Sequence, residues 1–240
     1  MKVNRLTFLI PMYNEEVYIS TVLDRVRSLK LPTGLDREVI VINDGSTDAS
    51  EDKVMAYQET HSEFPLRYLT QPKNKGKGAA LHRGIAEATG EFLVIQDADL
   101  EYDPEDILRL IEPVLAGKAD VVYGSRFIGD RPHRVLYFWH YVGNRWLTTL
   151  TNLVTNLNLT DMETCYKVMN TRMVQSLRLR EKRFGFEPEV TIKLSRIPKV
   201  RIYEVGISYS GRTFAEGKKI SWKDGVHALW CLFRYGILGR

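Results

Sequence analysis

Five residues, Asp97-Ala98-Asp99-Leu100-Glu101, directly follow the apolar stretch Glu91-Phe92-Leu93-Val94-Ile95-Gln96. In an extended chain residues i, i+2 and i+4 share a face, so the carboxylates of Asp97, Asp99 and Glu101 point one way. Acids so placed repel one another unless positive charge sits among them. A divalent cation answers that need: Mg²⁺ takes hard oxygen ligands, often one or two carboxylates plus substrate phosphates. Mn²⁺ suits the same ligands. The competing reading is a solvated acidic turn that leads into a helix. It explains Asp103, because Asp103-Pro104-Glu105-Asp106 reads as an N-cap, a proline at the first helical position and acids in the first turn. It does not explain Asp97 and Asp99 at the end of a strand.

Three further segments carry chemistry of the same kind. Asp44-Gly45-Ser46-Thr47-Asp48 reads as a strand-to-helix turn that offers backbone N–H groups and a carboxylate, with Ser46 or Thr47 as alternative helix caps. In Lys73-Asn74-Lys75-Gly76-Lys77-Gly78 the glycines allow close backbone approach to a ligand and the lysines could neutralise phosphate; a plain solvated loop fits as well. Gly211 to Ile220, with Arg212, Lys218 and Lys219, is a basic loop able to close over a diphosphate, or a surface loop charged for solubility. The five histidines are scattered and receive no role.

These segments need elements to hold them. Short β-branched runs (Leu6 to Pro11, Glu38 to Asn43, Leu66 to Thr70, Glu91 to Gln96, Asp120 to Gly124) alternate with helical patterns at Glu15 to Leu29, Asp48 to Thr60, Lys77 to Ala88 and Pro104 to Leu115. That alternation predicts an α/β fold, a mostly parallel central sheet with helices on both faces. Ligands of such sheets bind outside the carboxyl ends of the strands. Tyr13-Asn14-Glu15, Asp44-Gly45-Ser46, Asp97-Ala98-Asp99 and Ser125-Arg126 all follow strands, so four polar clusters are expected at one crevice.

At 240 residues the chain is expected to form one domain, with residues 1–126 and 127–240 as its two halves. A net charge of +4, without an arginine-rich arm, argues against nucleic acid. Two cysteines make no disulfide framework and favour a reducing compartment. The first apolar run is too short for a signal peptide, and no run approaches the roughly eighteen residues of a membrane span, so a cytoplasmic protein is expected. Two amphipathic segments, Leu136 to Leu159 and Trp222 to Leu238, mix tryptophan, tyrosine and basic residues. Such helices can lie flat in a membrane interface or simply cover the sheet.

The motifs occur in a set order: Pro11-x-Tyr13-Asn14-Glu15-Glu16, Asn43 to Asp48, Asn74-x-Gly76-Lys77-Gly78, Asp97-Ala98-Asp99, Gly124-Ser125-Arg126, Asp161 to Lys167, Phe184-Gly185-Phe186-Glu187 and the Gly211 to Trp222 loop. In this order the chain resembles family 2 glycosyltransferases, and within them the dolichyl- or polyprenyl-phosphate mannose synthases. The resemblance implies a GT-A fold and transfer of a hexose from a nucleotide sugar (GDP-mannose or UDP-glucose) to a polyprenyl phosphate, with inversion, by a peripheral protein at the cytoplasmic face of a membrane. It implies that Pro11, Tyr13, Glu15 and Asp44 embrace the nucleoside, and that Gly76, Lys77, Ala98 and Lys218 serve the rest of the donor. Asp97, Asp99 and Glu101 would hold Mg²⁺ or Mn²⁺ on the diphosphate. Arg126 would face the phosphates near the acceptor and Arg212 would sit on the closing loop, with Asp161 and Lys167 near the acceptor. A phosphate acceptor is already anionic and needs no general base, which fits histidines without a role. The remaining readings are the same chemistry on a polysaccharide or soluble acceptor, and a non-catalytic nucleotide-sugar-binding module.

Overall fold

Strands β1 (Arg5–Met12), β2 (Asp36–Asn43), β3 (Leu66–Thr70), β4 (Phe92–Ile95) and β5 (Val121–Ser125) form where the β-branched runs predicted them. Helices α1 (Ile19–Ser28), α2 (Ser50–Thr60), α3 (Lys77–Glu87) and α4 (Asp106–Leu115) lie between them. A computed structural model describes residues 3–129, 132–135, 137–212 and 222–239. The second half adds α5 (Phe138–Thr155), β6 (Lys167–Asn170), α6 (Thr171–Ser176), α7 (Phe186–Ser195), β7 (Ile202–Gly206) and α8 (Trp222–Cys231), which continues as a π-helical stretch over Leu232–Ile237.

The strands make one seven-stranded sheet in the order β3-β2-β1-β4-β6-β5-β7. All pairings are parallel except those of β6, which runs antiparallel between β4 and β5. β1 shows how alternation loads both faces. Its Leu6, Phe8 and Ile10 join one buried cluster with Val22 and Val26 of α1, Val54 of α2 and Leu110 of α4. Leu9 turns to the other face, with Leu81 of α3, Val174 of α6 and Val190 of α7. Pro11 is tolerated in this central strand because β4 stops pairing with β1 at Leu9↔Ile95, before a proline nitrogen would owe a ladder bond.

A third cluster lies apart from the sheet, where Leu147 of α5, Ile192 of α7, and Cys231, Leu232 and Tyr235 of the C-terminal helix bury one face against each other. The opposite faces stay bare. Phe138, Trp139, Trp146 and Leu153 of α5 are exposed, Trp139 by 76%, as are Trp230, Phe233 and Ile237. Covering the sheet therefore does not account for the aromatic side of either helix.

Candidate functional site

The loops past the carboxyl ends of β1 and β2 are tied together by backbone and short side chains. Asn14 takes a left-handed conformation (φ 51°), which asparagine tolerates. There its N–H donates to Ser46 Oγ (3.0 Å) and its Oδ1 accepts from the Thr47 N–H (2.8 Å). Ser46 is thus a bridge to the β1 loop rather than a cap. The N-cap of α2 is Ala49, and Asp48 just before it closes the entering turn, its Oδ1 accepting from the Ser50 N–H at 3.0 Å. Asp103 likewise accepts from the Glu105 N–H at 3.1 Å and closes the turn that feeds α4. Tyr13 and Glu15 stand on the β1 loop, Glu15 buried.

Asp44 is buried at the end of β2, and its carboxylate accepts the N–H groups of Lys75 and Gly76 (2.8 Å each) and the Gln71 amide (3.1 Å). It therefore shapes the loop that precedes α3. Gly76 is obligatory there for two reasons: its φ is +100°, and an added Cβ would lie 2.4 Å from the Lys182 carbonyl oxygen. The 181–183 backbone packs on this loop, with the Ala79 N–H donating to Lys182 O at 3.0 Å.

The acids after β4 do converge, but not in the extended chain their spacing assumed: β4 ends at Ile95, and Asp99 Oδ1 accepts the Glu101 N–H at 3.0 Å in a turn. Asp97 is ion-paired with Lys77, the first residue of α3, and the same ammonium lies 2.9 Å from Cys165 Sγ. Burial raises the Asp97 carboxyl, but Lys77, the Cys165 thiol and Arg212 together hold the group below its ordinary range. Asp99 has a cationic neighbour in Arg212, but it does not offset the rest. Burial, then the charges of Asp97 and Glu101, push its carboxyl up to about 7. Arg212 answers part of this excess. Its Nη2 lies 2.6 Å from Asp99 Oδ2, its Nε 3.4 Å from Glu101 Oε1 and its Nη1 3.4 Å from Glu15 Oε2, over the Tyr18 ring. Tyr209 donates to Glu101 Oε2 at 3.0 Å. Glu15, Asp97, Asp99 and Glu101 thus meet Arg212 and Lys77 in one place, and Ala98 is buried between the two aspartates. Lys218 lies outside the described residues.

Arg126 stands at the end of β5. Its Nε and Nη2 each donate to the buried carboxylate of Asp161 at 2.7 Å, and its guanidinium carbon lies 5.1 Å from the Tyr209 ring centroid. Nη1 is left outside that fork. Tyr209 therefore contacts both Arg126 and Glu101 and joins the acidic cluster to the β5 end. Lys167, expected near the acceptor, is instead fully buried and ion-paired with Glu187, so it braces the 162–164 turn from behind.

Glu163 was not singled out by its residue type. One of its carboxylate oxygens is buried without a hydrogen-bond partner. Burial, then the charge of Glu187, push the group up to about 7. A carboxyl raised above its unfolded value holds its proton longer in the folded state, so folding loses stability as pH climbs from the unfolded value toward 7. Glu163→Gln mimics the protonated form. It is expected to stabilise the protein by about 2 kcal/mol at pH 8 and hardly at all at pH 4.5. Urea denaturation at the two pH values checks this; equal effects at both would refute the raised carboxyl.

A divalent cation fits this donor set. The oxygens are hard and buried, and the crowding that raises Asp99 is the crowding a dipositive ion relieves. The sequence profile of "Glycosyl transferase family 2" matches residues 7–178, which run from β1 through the acidic turn to β6 and α6. The chain belongs to glycosyl transferase family 2. Relatives in that family include the dolichol-phosphate mannosyltransferase of Pyrococcus furiosus, 35% identical over 124 residues that make up 52% of this chain and 34% of that protein. Another is the dodecaprenyl-phosphate galacturonate synthase of Rhizobium johnstonii, 24% identical over 89% of this chain and 61% of that protein. A third, the undecaprenyl-phosphate 4-deoxy-4-formamido-L-arabinose transferase of Pseudomonas aeruginosa, is 27% identical over 90% of this chain and 60% of that one. The family 2 chain thus spans from about a third to three fifths of the length of these relatives.

Its architecture is that of the GT-A glycosyltransferases. The glucosyl-3-phosphoglycerate synthase of Mycobacterium tuberculosis, solved with Mn²⁺, UDP and glucosyl-3-phosphoglycerate, superposes with a TM-score of 0.74 at 21% identity, over 97% of this chain and 80% of that one. The same enzyme with Mg²⁺ and UDP gives 0.72.

Proposed function

We propose that this family 2 chain transfers a hexose, mannose or glucose, from GDP-mannose or UDP-glucose to a polyprenyl phosphate, with inversion, at the cytoplasmic face of a membrane. The observation that carries the proposal is the meeting of Asp97, Asp99, Glu101 and Glu15 with Arg212 beyond the carboxyl ends of the strands. The relatives above, each named for sugar transfer involving a polyprenyl phosphate, support the acceptor class.

In this reading the first half, residues 1–126, binds the donor. Pro11 near the end of β1, Tyr13 and Glu15 on the loop after it, and Asp44 behind the Gly76 loop form the nucleoside cradle. Asp97, Asp99 and Glu101 hold Mg²⁺ or Mn²⁺, which when bound supplies Lewis-acid neutralisation of the diphosphate. As the glycosidic bond breaks, charge develops on the leaving diphosphate, and Arg212 with Lys77 lies where cations stabilise it. Lys218 is proposed to join them. The acceptor phosphate attacks as an anion, so no proton has to be removed. Arg126 is already oriented by Asp161 and offers its outer nitrogen to that phosphate.

The second half, residues 127–240, is the acceptor side. Among the described residues no helix is long and apolar enough to cross a membrane. The bare aromatic sides of α5 and the C-terminal helix are instead suited to lie in a lipid interface, where a polyprenyl tail would be presented.

The test is transfer of label from GDP-mannose and from UDP-glucose into an organic-extractable lipid phosphate, with Mg²⁺ and with a chelator. Chelator-sensitive lipid label from one donor is expected. Donor turnover that leaves the lipid phase unlabelled points to a soluble acceptor, and no turnover of any nucleotide sugar points to a binding module.

A further inference from the structure

Away from the acidic cluster, three side chains of metal-ligating type converge where the C-terminal helix meets the segment before α7. His227 and Cys231 stand four residues apart on α8, so they share a face. Glu181 reaches that face from across the interface. One ligand atom from each lies within 4.8 Å of the other two. Glu181 Oε2 is 2.8 Å from His227 Nε2, while its other oxygen accepts the Tyr235 hydroxyl at 2.6 Å. Tyr235 thereby fixes the carboxylate and leaves one oxygen facing the histidine and the thiol, as a supporting partner of a metal ligand does. Gly185 keeps the space open: a Cβ there would lie 2.7 Å from Cys231 Sγ, 3.0 Å from Glu181 Oε2 and 3.1 Å from His227 Cδ2.

The geometry points to a zinc site built from Glu181, His227 and Cys231, with a fourth position open to solvent on the half-exposed side of His227. Carboxylate, imidazole and thiolate are a zinc donor set, whereas the donor-site acids offer oxygen alone. Ligand atoms of a tetrahedral zinc stand roughly 3.5 Å apart, within reach of small rotations of these side chains. The ion's two charges match the carboxylate and the thiolate, while Arg234 Nη1 lies 3.5 Å from the outer carboxylate oxygen, the one that Tyr235 holds. On binding, the S–H bond of Cys231 breaks, sulfur bonds zinc and the proton passes to solvent. The consequence is structural. Zinc would staple α8 to the segment whose backbone supports Gly76.

Co²⁺ reports this site because a cobalt–thiolate bond absorbs in the near ultraviolet and tetrahedral Co²⁺ gives intense visible bands, neither of which an all-oxygen site produces. Titration of the full chain with Co²⁺ is expected to show both, with one equivalent of Zn²⁺ abolishing them. Cys231→Ser should remove the thiolate band. His227→Gln, at a side chain exposed enough to spare folding, should weaken Co²⁺ binding by about tenfold or more. Absence of the thiolate band in the folded wild-type chain at saturating Co²⁺ overturns the site. So does a band that persists in Cys231→Ser, which would belong to Cys165. Neither outcome bears on sugar transfer, so this site and the proposed function fail separately.

Discussion

Asp99→Asn is expected to lower sugar transfer by at least about 100-fold, the scale of losing one electrostatic partner at a site of developing charge. Asparagine keeps the shape of the side chain and can still accept the Glu101 N–H that Asp99 Oδ1 accepts at 3.0 Å. What it removes is one of the charges facing Arg212 and, in the proposed reaction, a ligand of the diphosphate's cation. The fold should survive, because the remaining acids still engage Arg212 and Lys77. A melting midpoint within about 4 °C of wild type, alongside lost transfer into the lipid phase, is the expected pair of readings. Full transfer in this variant would sink the metal assignment. A collapsed midpoint would mean that the acidic turn is needed for folding.

The second large effect concerns stability. Asp161 is completely buried and receives three N–H donors from Arg126, from its backbone and from two guanidinium nitrogens. Asp161→Asn leaves that guanidinium buried opposite a neutral amide. Removing one partner of a buried pair costs about 3–5 kcal/mol, because the surviving charge is uncompensated. For a chain of this length that corresponds to a midpoint roughly 6–20 °C lower. The double variant Asp161→Asn with Arg126→Met removes the orphaned charge and should recover part of the loss. If the double variant is as unstable as the sum of its parts, the pair is not what holds β5 to the 161–167 turn. Transfer should fail in both, since Arg126 is the proposed seat of the acceptor phosphate.

Much of this could be read before the structure. β1 to β5 and α1 to α4 were legible because their apolar residues alternate at periods of two and of about 3.6, and strand ends in such folds mark the crevice. β6 was not. Lys167–Asn170 is four residues long and opens on a lysine, and that charge sits inside because Glu187 and the Met162 and Thr164 carbonyls meet it there. α7 was hidden for a related reason: Glu187, Pro188, Glu189 and Thr191 are all buried, so no polar face contrasts with an apolar one. At the site, the spacing of Asp97, Asp99 and Glu101 pointed to their convergence, which a turn rather than an extended chain brings about, and Arg212 came from a recognised motif. The pairing of Lys77 with Asp97 and Cys165 came from neither, because it depends on how the start of α3 is set against the end of β4 by the 181–183 backbone. Asp44 was expected at the nucleoside, and its occupation by the Lys75 and Gly76 N–H groups could be seen only once the loop's path was known.

The antiparallel strand at the centre of the sheet also governs the order in which the molecule can be built. During synthesis β3, β2, β1 and β4 can assemble as soon as β4 emerges, but the flank of β4 stays an open edge until Val168 to Asn170 arrive to pair with Phe92 to Val94. β5 must wait for the same strand before it can join, and the guanidinium that gathers the acids lies later still, at Arg212. Contacts this distant along the chain close slowly, since loop entropy is lost before pairing compensates it. The nascent chain therefore carries an exposed apolar strand edge from the completion of β4 until β6 emerges, and its last third acts as the clasp that ends that vulnerability.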